Sequence, residues 1–492
     1  MFFLNIAEAV AQNALRKPDH PALEQGDRVL GYAQLDRRVR QIAHRLRAAG
    51  LKKGDIIGLS LPDTIDHIAI MVGVFRMGAI VLPMDVRWTD AEKSRVAAFF
   101  GAKRIIAKDA PISGFDTLVT DAVWEVAVEA ADPSGFFPDD RDAPILLSLS
   151  SGTTGIPKGP LVTHRHMAMR FMGQCVSLGF NENDRNLLAT PLYFGGGRGF
   201  TLCMLYLGGT TVFYPPPYQP KELIEEVNRE NATVLFLVPT LLRRLLTLSE
   251  PGQVLMPKLR ILISSGSILH AEERERIMDE ISPNFVNLYS STEGGSVSVL
   301  QSSIGTEKAG SVGRASYRTE FEVVDEEDRV VPAGEVGRIR HRSPWLPDGY
   351  YNNPEETEIY FKHGCYYTGD LGKVDEDSFL YVVGRTKDMI IRGGVNIYPA
   401  EIEETLLTHS GVHDTAVVAW ESPELGEEVA AFVLREGDVE EAELIEHCRA
   451  SLARYKVPKA VFFVEELPKN ALGKVLKTEL QKKLPRFSVG VT

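Results

Sequence analysis

Before residue 309, short unbroken apolar runs alternate with longer stretches whose apolar positions recur at helical intervals. Leu35, Val39, Ile42 and Leu46 recur every three or four residues, which predicts an amphipathic helix over residues 32–50 with Gly50 at its end. Residues 55–61 read as a buried strand, 63–77 as a helix and 79–82 as the next strand. Further strands are predicted at 104–107, 207–213, 233–238, 259–263 and 285–289, with helices over 163–178 and 240–246. Asn5 and Glu8 have the spacing of a capping box that opens a short N-terminal helix. This alternation implies an α/β fold, a mainly parallel sheet covered by helices on both faces. Such sheets bind ligands at the carboxyl ends of their strands.

Beyond residue 309 the pattern shortens to alternating strands at 320–324, 337–341 and 379–382, separated by turn-forming residues, which predicts a small antiparallel barrel or sheet. Residues 366–370, Tyr-Tyr-Thr-Gly-Asp, have the local composition of a turn. After a glycine-bounded polar junction, strands at 413–419, 429–434 and 460–464 and a helix at 440–453 form a compact α/β unit. The expected organisation is a large N-terminal domain, residues 1–385, containing a β-rich subdomain from about 309, and a small mobile C-terminal domain, residues 386–492.

Composition narrows the functional classes. The chain has 492 residues, 44% hydrophobic and 25% charged, as in ordinary globular proteins. A net charge of −13 argues against nucleic-acid or anionic-membrane binding, so an anionic ligand must be held by local donors. Cys175, Cys203, Cys365 and Cys448 lie far apart without metal-ligand spacing, which suits reduced thiols. The N-terminus is too polar for a secretory segment. The most apolar stretch, 68–82, is broken by Arg76 and falls short of the roughly 20 residues a membrane span needs. The expectation is a cytoplasmic protein without a membrane span. Oligomeric state is not legible, and a homodimer is compatible with the sequence.

The candidate chemistry gathers around residues 146–159, LLSLSSGTTGIPKG. An apolar strand feeds Ser150, Ser151, Gly152, Thr153, Thr154 and Gly155, followed by Pro157 and the cation Lys158. Glycines let backbone N–H groups approach an anion, and hydroxyls with one ammonium complete a phosphate nest. Pro157 before Lys158 and Gly159 after it exclude a Walker loop, and a flexible surface turn fits the local sequence equally well. Two later strands end in similar small polar loops, Ser265-Gly266-Ser267 and Ser290 to Gly295, the second carrying Glu293, a natural magnesium ligand beside a triphosphate. Gly195-Gly196-Gly197 beside Phe194 and Arg198 is read either as backbone packed on a ligand or as a helix-packing turn. Asp370 could accept both ribose hydroxyls. By composition alone Lys474 reads as an exposed loop lysine.

Taken in order, SSGTTGIPKG, NLYSSTE, YYTGD, GRTKDMIIRGGVNIYPAEIE and PKNALGK resemble the adenylate-forming superfamily of acyl- and aryl-CoA synthetases, luciferases and peptide-synthetase adenylation domains. The resemblance covers nearly the whole chain. It implies a ligase that uses ATP, Mg2+ and coenzyme A to convert a small-molecule carboxylic acid to acyl-AMP and then to acyl-CoA. It further implies that Ser150 to Lys158 hold the β- and γ-phosphates, while Ser265, Gly266, Ser267, Asn287 and Tyr289 frame the adenine. Thr292 touches the α-phosphate, Glu293 holds magnesium, and Asp370 and Arg385 bind ribose. Lys387 is the hinge, Lys474 the catalytic cation of adenylation, and Gly393-Gly394 lie near the incoming thiol. Phe194 is the aromatic gate, with Gly195 and Ser290 beside the acyl pocket. Separately from the resemblance, the place of Arg198 after the glycine run makes it a candidate contact for a polar or anionic substrate tail.

Departures from the family pattern at Ser265, Pro160, Phe194 and Ser290 bear on which acid is used, and none removes a catalytic group. A peptide-synthetase role would need an acidic residue near Phe194, which is absent. The alternative reading is an acyl-AMP ligase or adenylation enzyme that delivers its acyl group to a carrier protein. A luciferase-like side activity shares the scaffold. A non-catalytic relative would be expected to lose Lys474 or Glu293, and both are present.

Overall fold

A computed structural model describes residues 5–135, 140–149, 157–250, 252–267, 269–393, 395–469 and 473–484. Its first sheet runs, in spatial order, Thr117–Thr120, Arg104–Lys108, Ile56–Ser60, Ile80–Pro83, Pro144–Leu147 and Leu161–Thr163. Every neighbouring pair is parallel except the last. A second sheet runs Arg314–Ala315, Gly295–Leu300, Phe285–Ser291, Ile261–Ser264, Val234–Leu237, Arg185–Leu188, Thr210–Phe213, Pro21–Gln25 and Arg28–Gly31. Its centre is parallel and its outer pairs are antiparallel.

The helix Ile65–Arg76, capped by Thr64, is buried at every position but Asp66 and touches strands of both sheets. A helix apolar all round has to be enclosed in this way. It receives the helix Tyr32–Ala48 at Gly73, where a Cβ would lie 2.6 Å from Ile42 Cγ2, so only glycine permits that approach. One continuous core joins these helices to both sheets. Among the described residues no helix is long and apolar enough to cross a membrane, and all four cysteines are free thiols.

The antiparallel subdomain pairs Glu320–Val324, Gly337–Arg342, Cys365–Val374, Phe361–Lys362 and Leu380–Arg385. Asp370 therefore sits in the middle of a ten-residue strand, not in a turn. Thr-Gly-Asp has turn composition, but pairing on both sides extends the backbone, and the mismatch is absorbed by bulges. Ser291 to Gly295 likewise forms the tight turn of a hairpin whose second strand, Gly295–Leu300, the polar serines concealed. Pro239 opens the helix Pro239–Leu246 at its first turn, where its missing N–H costs nothing.

The C-terminal unit is built on the antiparallel pair Val412–Ser422 and Gly426–Arg435, with Ala460–Phe463 added in parallel. The helices Pro399–Leu407 and Glu441–Ser451 close a separate core around Ile402, Val417, Val429 and Leu444. The chain after residue 484 and residues 470–472 lie outside the described residues.

Candidate active site

The parallel strands of the second sheet deliver small polar residues to one edge. Ser265 and Ser290, at the ends of neighbouring strands, share a hydroxyl hydrogen bond of 3.0 Å, and Asn287 is buried beside them. Gly266 takes a positive φ of +106°, while Gly266 and Ser267 are exposed on the loop. Tyr289 reaches from this edge to the antiparallel subdomain and donates to Asp370 Oδ2 at 2.6 Å. Burial, with the Asp370 charge, raises the Tyr289 hydroxyl well above its usual range, so it remains a donor. The other Asp370 oxygen, Oδ1, lies 3.0 Å from Arg385 Nε, its cross-strand partner. Tyr289, Asp370 and Arg385, distant in sequence, are thus one hydrogen-bonded group at the edge where Ser265 and Ser290 share their own bond.

Glu293 occupies the hairpin turn and is 5% exposed. Its Oε1 accepts from the Tyr350 hydroxyl at 3.0 Å, and the Tyr366 hydroxyl lies 3.5 Å from that of Tyr350. Behind it, Arg170 donates to the Glu293 carbonyl and Trp345 Nε1 to the Gly294 carbonyl at 3.0 Å. Burial, and then the Arg170 charge, push His341 down to about 3, so it packs against Gly294 as a neutral ring. Ser148 Oγ donates to the Thr292 carbonyl at 3.4 Å, tying the strand that enters the phosphate loop to this turn. Among the described residues there is no group of three or more His, Cys, Asp or Glu side chains placed to hold a metal. A single hard carboxylate suits Mg2+, which keeps waters and takes its remaining ligands from phosphates.

Ser150, Ser151, Gly152, Thr153, Thr154 and Gly155 lie outside the described residues. Lys158, at the loop's end, pairs with Glu356 Oε2 at 2.5 Å. Its ammonium also stands over the rings of Tyr350 and Tyr360, 4.7 and 4.1 Å from their centroids.

Lys474 comes from the far end of the chain into electrostatic range of Arg385 and Asp370. Burial, and next the neighbouring Arg385 charge, lower its ammonium to about 8, while Asp370 and Asp388 oppose the shift. Gly473 makes the approach achievable: at φ +76° it sits so close to Thr240 that a Cβ would lie 2.3 Å from the hydroxyl. The C-terminal unit is further joined to the large domain by His270 and Glu404, 3.4 Å apart. Gly393 instead bonds its own unit, donating its N–H to Leu425 O at 2.8 Å, and Gly394 lies outside the described residues. Lys387 is exposed in a short 3-10 turn, Thr386–Asp388.

The glycine run is the start of the helix Gly195–Leu207. A Cβ at Gly197 would lie 2.3 Å from the Thr190 carbonyl oxygen, and one at Gly196 would lie 2.5 Å from Phe236 Cε1. The helix-packing reading therefore holds, and Gly196 also admits an aromatic ring into a small cavity lined in part by Phe200. Phe194 is half-buried and stacks on Tyr193 at 3.9 Å, while Gly195 is exposed. Arg198 departs from the expected tail contact. It is buried and donates to the carbonyls of Leu192 and Tyr193 at 3.0 and 2.8 Å, bracing the loop that carries Phe194.

Tyr350, Tyr366, Glu356 and Arg170 are the residues that sequence reasoning left without a role. The aromatic pairs Tyr350-Tyr351 and Tyr366-Tyr367 were the available signal for two of them.

A buried carboxylate held by a tyrosine, a second carboxylate paired to arginine and a lysine from the C-terminal unit are the charged groups of this edge of the fold. The chain matches the AMP-binding enzyme family over residues 10–351 and its C-terminal domain over 401–474. It is 32% identical over 479 residues to a feruloyl-CoA synthase of Amycolatopsis sp, covering 96% of this chain and 97% of the relative. It is 33% identical over 484 residues to a 2-succinylbenzoate–CoA ligase of Geobacillus kaustophilus, with the same coverage. Among solved structures it resembles ATP-bound MatB from Rhodopseudomonas palustris, with a TM-score of 0.89 at 28% identity over 97% of this chain and 98% of that one. The chain belongs to the AMP-binding enzyme family, within the adenylate-forming superfamily its motifs resemble.

Proposed function

We propose that this AMP-forming carboxylic acid–CoA ligase runs both half-reactions at the edge where Tyr289, Glu293, Asp370 and Lys474 converge. A carboxylate is a poor acyl donor because its leaving group would be oxide. Its attack on the α-phosphate of ATP, with loss of pyrophosphate, replaces that leaving group with AMP, and a thiol then attacks the activated carbonyl. In this reading Asp370, fixed by Tyr289 and Arg385, accepts the ribose hydroxyls, and Ser265, Gly266, Ser267 and Asn287 frame the base. Ser150 to Gly155 and Lys158 hold the β- and γ-phosphates, and Thr292 lies against the α-phosphate. Mg2+, when bound at Glu293, supplies charge neutralisation on the phosphates. Lys474 offsets negative charge that grows between the acid and the α-phosphate, an electrostatic contribution already in place before the reaction begins.

The single observation that carries the assignment is that Lys474 comes within electrostatic range of Asp370 and Arg385, more than eighty residues away in sequence, with Gly473 packed on Thr240 of the large domain. That placement fits the first half-reaction. The second requires the C-terminal unit to turn about Lys387 so that Gly393 and Gly394 face the thiol, a gating motion of the kind that serves many two-step enzymes.

The acid lies against Phe194, Gly195, Phe236 and Ser290. None of these side chains is charged, and Phe236, seated on Gly196 and 5.2 Å from the Phe200 ring, lines a small cavity that we read as the end of the acid pocket. We read the substrate as a compact acid with an uncharged body. The test is pyrophosphate release across short, aromatic, medium and long acids, each with and without CoA. Thioester formation from free CoA supports the ligase. Release of acyl-AMP with no thioester would favour carrier-protein delivery, and a preference for long or dicarboxylic acids would overturn the pocket reading.

A further inference from the structure

Two cationic and anionic elements of the site, Lys158 and Glu293, meet at one side chain. The Tyr350 hydroxyl donates to Glu293 Oε1 at 3.0 Å, and the face of its ring lies 4.7 Å from the Lys158 ammonium. Tyr350 is 6% exposed and is held from several sides. Its N–H donates to Thr357 Oγ1 at 2.9 Å, and its backbone bridges to Pro160, directly after the phosphate loop. The Tyr351 N–H adds a bond to the Gly159 carbonyl at 3.0 Å. Phe361 and Tyr360 meet its ring edge-on, at 87° and 90°. A ring so enclosed has one orientation, and its hydroxyl points at the carboxylate, with Tyr366 at 3.5 Å as the second hydroxyl nearby.

Burying a carboxylate is costly unless it is hydrogen-bonded, and a hydrogen-bonded carboxylate has a fixed direction. Tyr350 takes one of the roughly four acceptor positions of the carboxylate, and a hard oxygen donor held in place suits a small cation with strict geometry. The same ring offers its electron-rich face to Lys158, a contact that, with the Tyr360 ring at 4.1 Å and the Glu356 carboxylate, keeps the ammonium beside the end of the phosphate loop.

We propose that Tyr350 is a positioning residue that couples the two: it aims Glu293 at the divalent cation and seats Lys158 for the phosphate chain, so that metal and triphosphate bind as one ligand. The proposal rests on reading Glu293 as the metal carboxylate and Lys158 as a phosphate cation. Because the hydroxyl and the ring face act on different partners, two substitutions separate them. Tyr350→Phe keeps the face under Lys158 and removes the donor to Glu293. Tyr350→Leu removes both.

The experiment is calorimetric titration of the whole chain with α,β-methylene-ATP, once with Mg2+ and once with excess EDTA, which measures binding without turnover. The ratio of the two dissociation constants is the metal coupling. Tyr350→Phe is expected to lower that ratio by roughly tenfold or more, the scale of one hydrogen bond to a charged group, while leaving the metal-free constant unchanged. Tyr350→Leu is expected to weaken the metal-free constant as well. A merely structural tyrosine would weaken both constants together. Glu293→Gln serves as the reference. If it collapses the ratio and Tyr350→Phe leaves it intact, the positioning role is overturned. If Glu293→Gln itself preserves the ratio, the metal assignment of Glu293 fails, and the role of Tyr350 with it.

Discussion

Removing the charge of Lys474 should stop adenylation while sparing the thiol step, and pH should do this reversibly. Burial and the Arg385 charge bring the ammonium from 10.5 to about 8. This corresponds to roughly 3 kcal/mol of preference for the neutral amine. A lysine lowered in this way is charged below its pKa and loses its charge as pH rises through it. With the pKa at about 8, roughly nine in ten molecules carry the ammonium at pH 7 and one in ten at pH 9. Pyrophosphate release measured without CoA should therefore show kcat/KM for ATP falling about tenfold over that interval, because this parameter reports the free enzyme. In the nucleotide complex the phosphates favour the ammonium, so the fall in kcat should lie at higher pH. Lys474→Ala should lose on the order of a hundredfold to a thousandfold in this step, the scale of one preorganised donor. Its thioester formation from supplied acyl-AMP should remain largely intact. Lys474→Arg should flatten the alkaline limb, since a guanidinium does not titrate there. A limb unchanged in Lys474→Arg, or equal loss of both half-reactions in Lys474→Ala, would refute the reasoning.

Three further outcomes follow from particular contacts. Lys387→Pro, in the exposed turn after the last strand of the antiparallel subdomain, should spare pyrophosphate release and cripple thioester formation; normal overall turnover would remove the hinge role. Phe236→Ala should open the cavity beside Gly196 and Phe200 and move the acid preference toward longer chains by about tenfold, measured as a ratio of kcat/KM values. An unchanged chain-length profile would show that the pocket ends elsewhere. Arg198→Ala should lower the denaturation midpoint by stranding the Leu192 and Tyr193 carbonyls, at roughly 1–3 kcal/mol each where buried. A changed preference for charged acids with unaltered stability would instead restore Arg198 as a substrate contact.

Local pattern alone was enough for many strands of the parallel sheets, which are buried on both faces and read as continuous apolar runs, but not for Pro21–Gln25, Thr117–Thr120 and Arg185–Leu188. Residues 55–61, 79–82 and 259–263 all marked strands that the structure contains at Ile56–Ser60, Ile80–Pro83 and Ile261–Ser264. The ordered motifs likewise marked the family, which the chain matches over residues 10–351 and 401–474. What sequence could not decide was contact across elements. Asp370 has turn neighbours but strand partners, and its role depends on Tyr289 and Arg385 arriving from two other strands. Arg198 follows a glycine run that invites a ligand, yet its side chain turns to carbonyls a few residues back. Tyr350 stood out only as half of an aromatic pair, because its significance lies in touching Lys158 and Glu293 at once. Periodicity reports which face of an element is buried, and motifs report which charges are available. Only packing decides which charges meet, because that depends on long-range pairings and close approaches, such as Gly473 on Thr240, that leave no trace in local order.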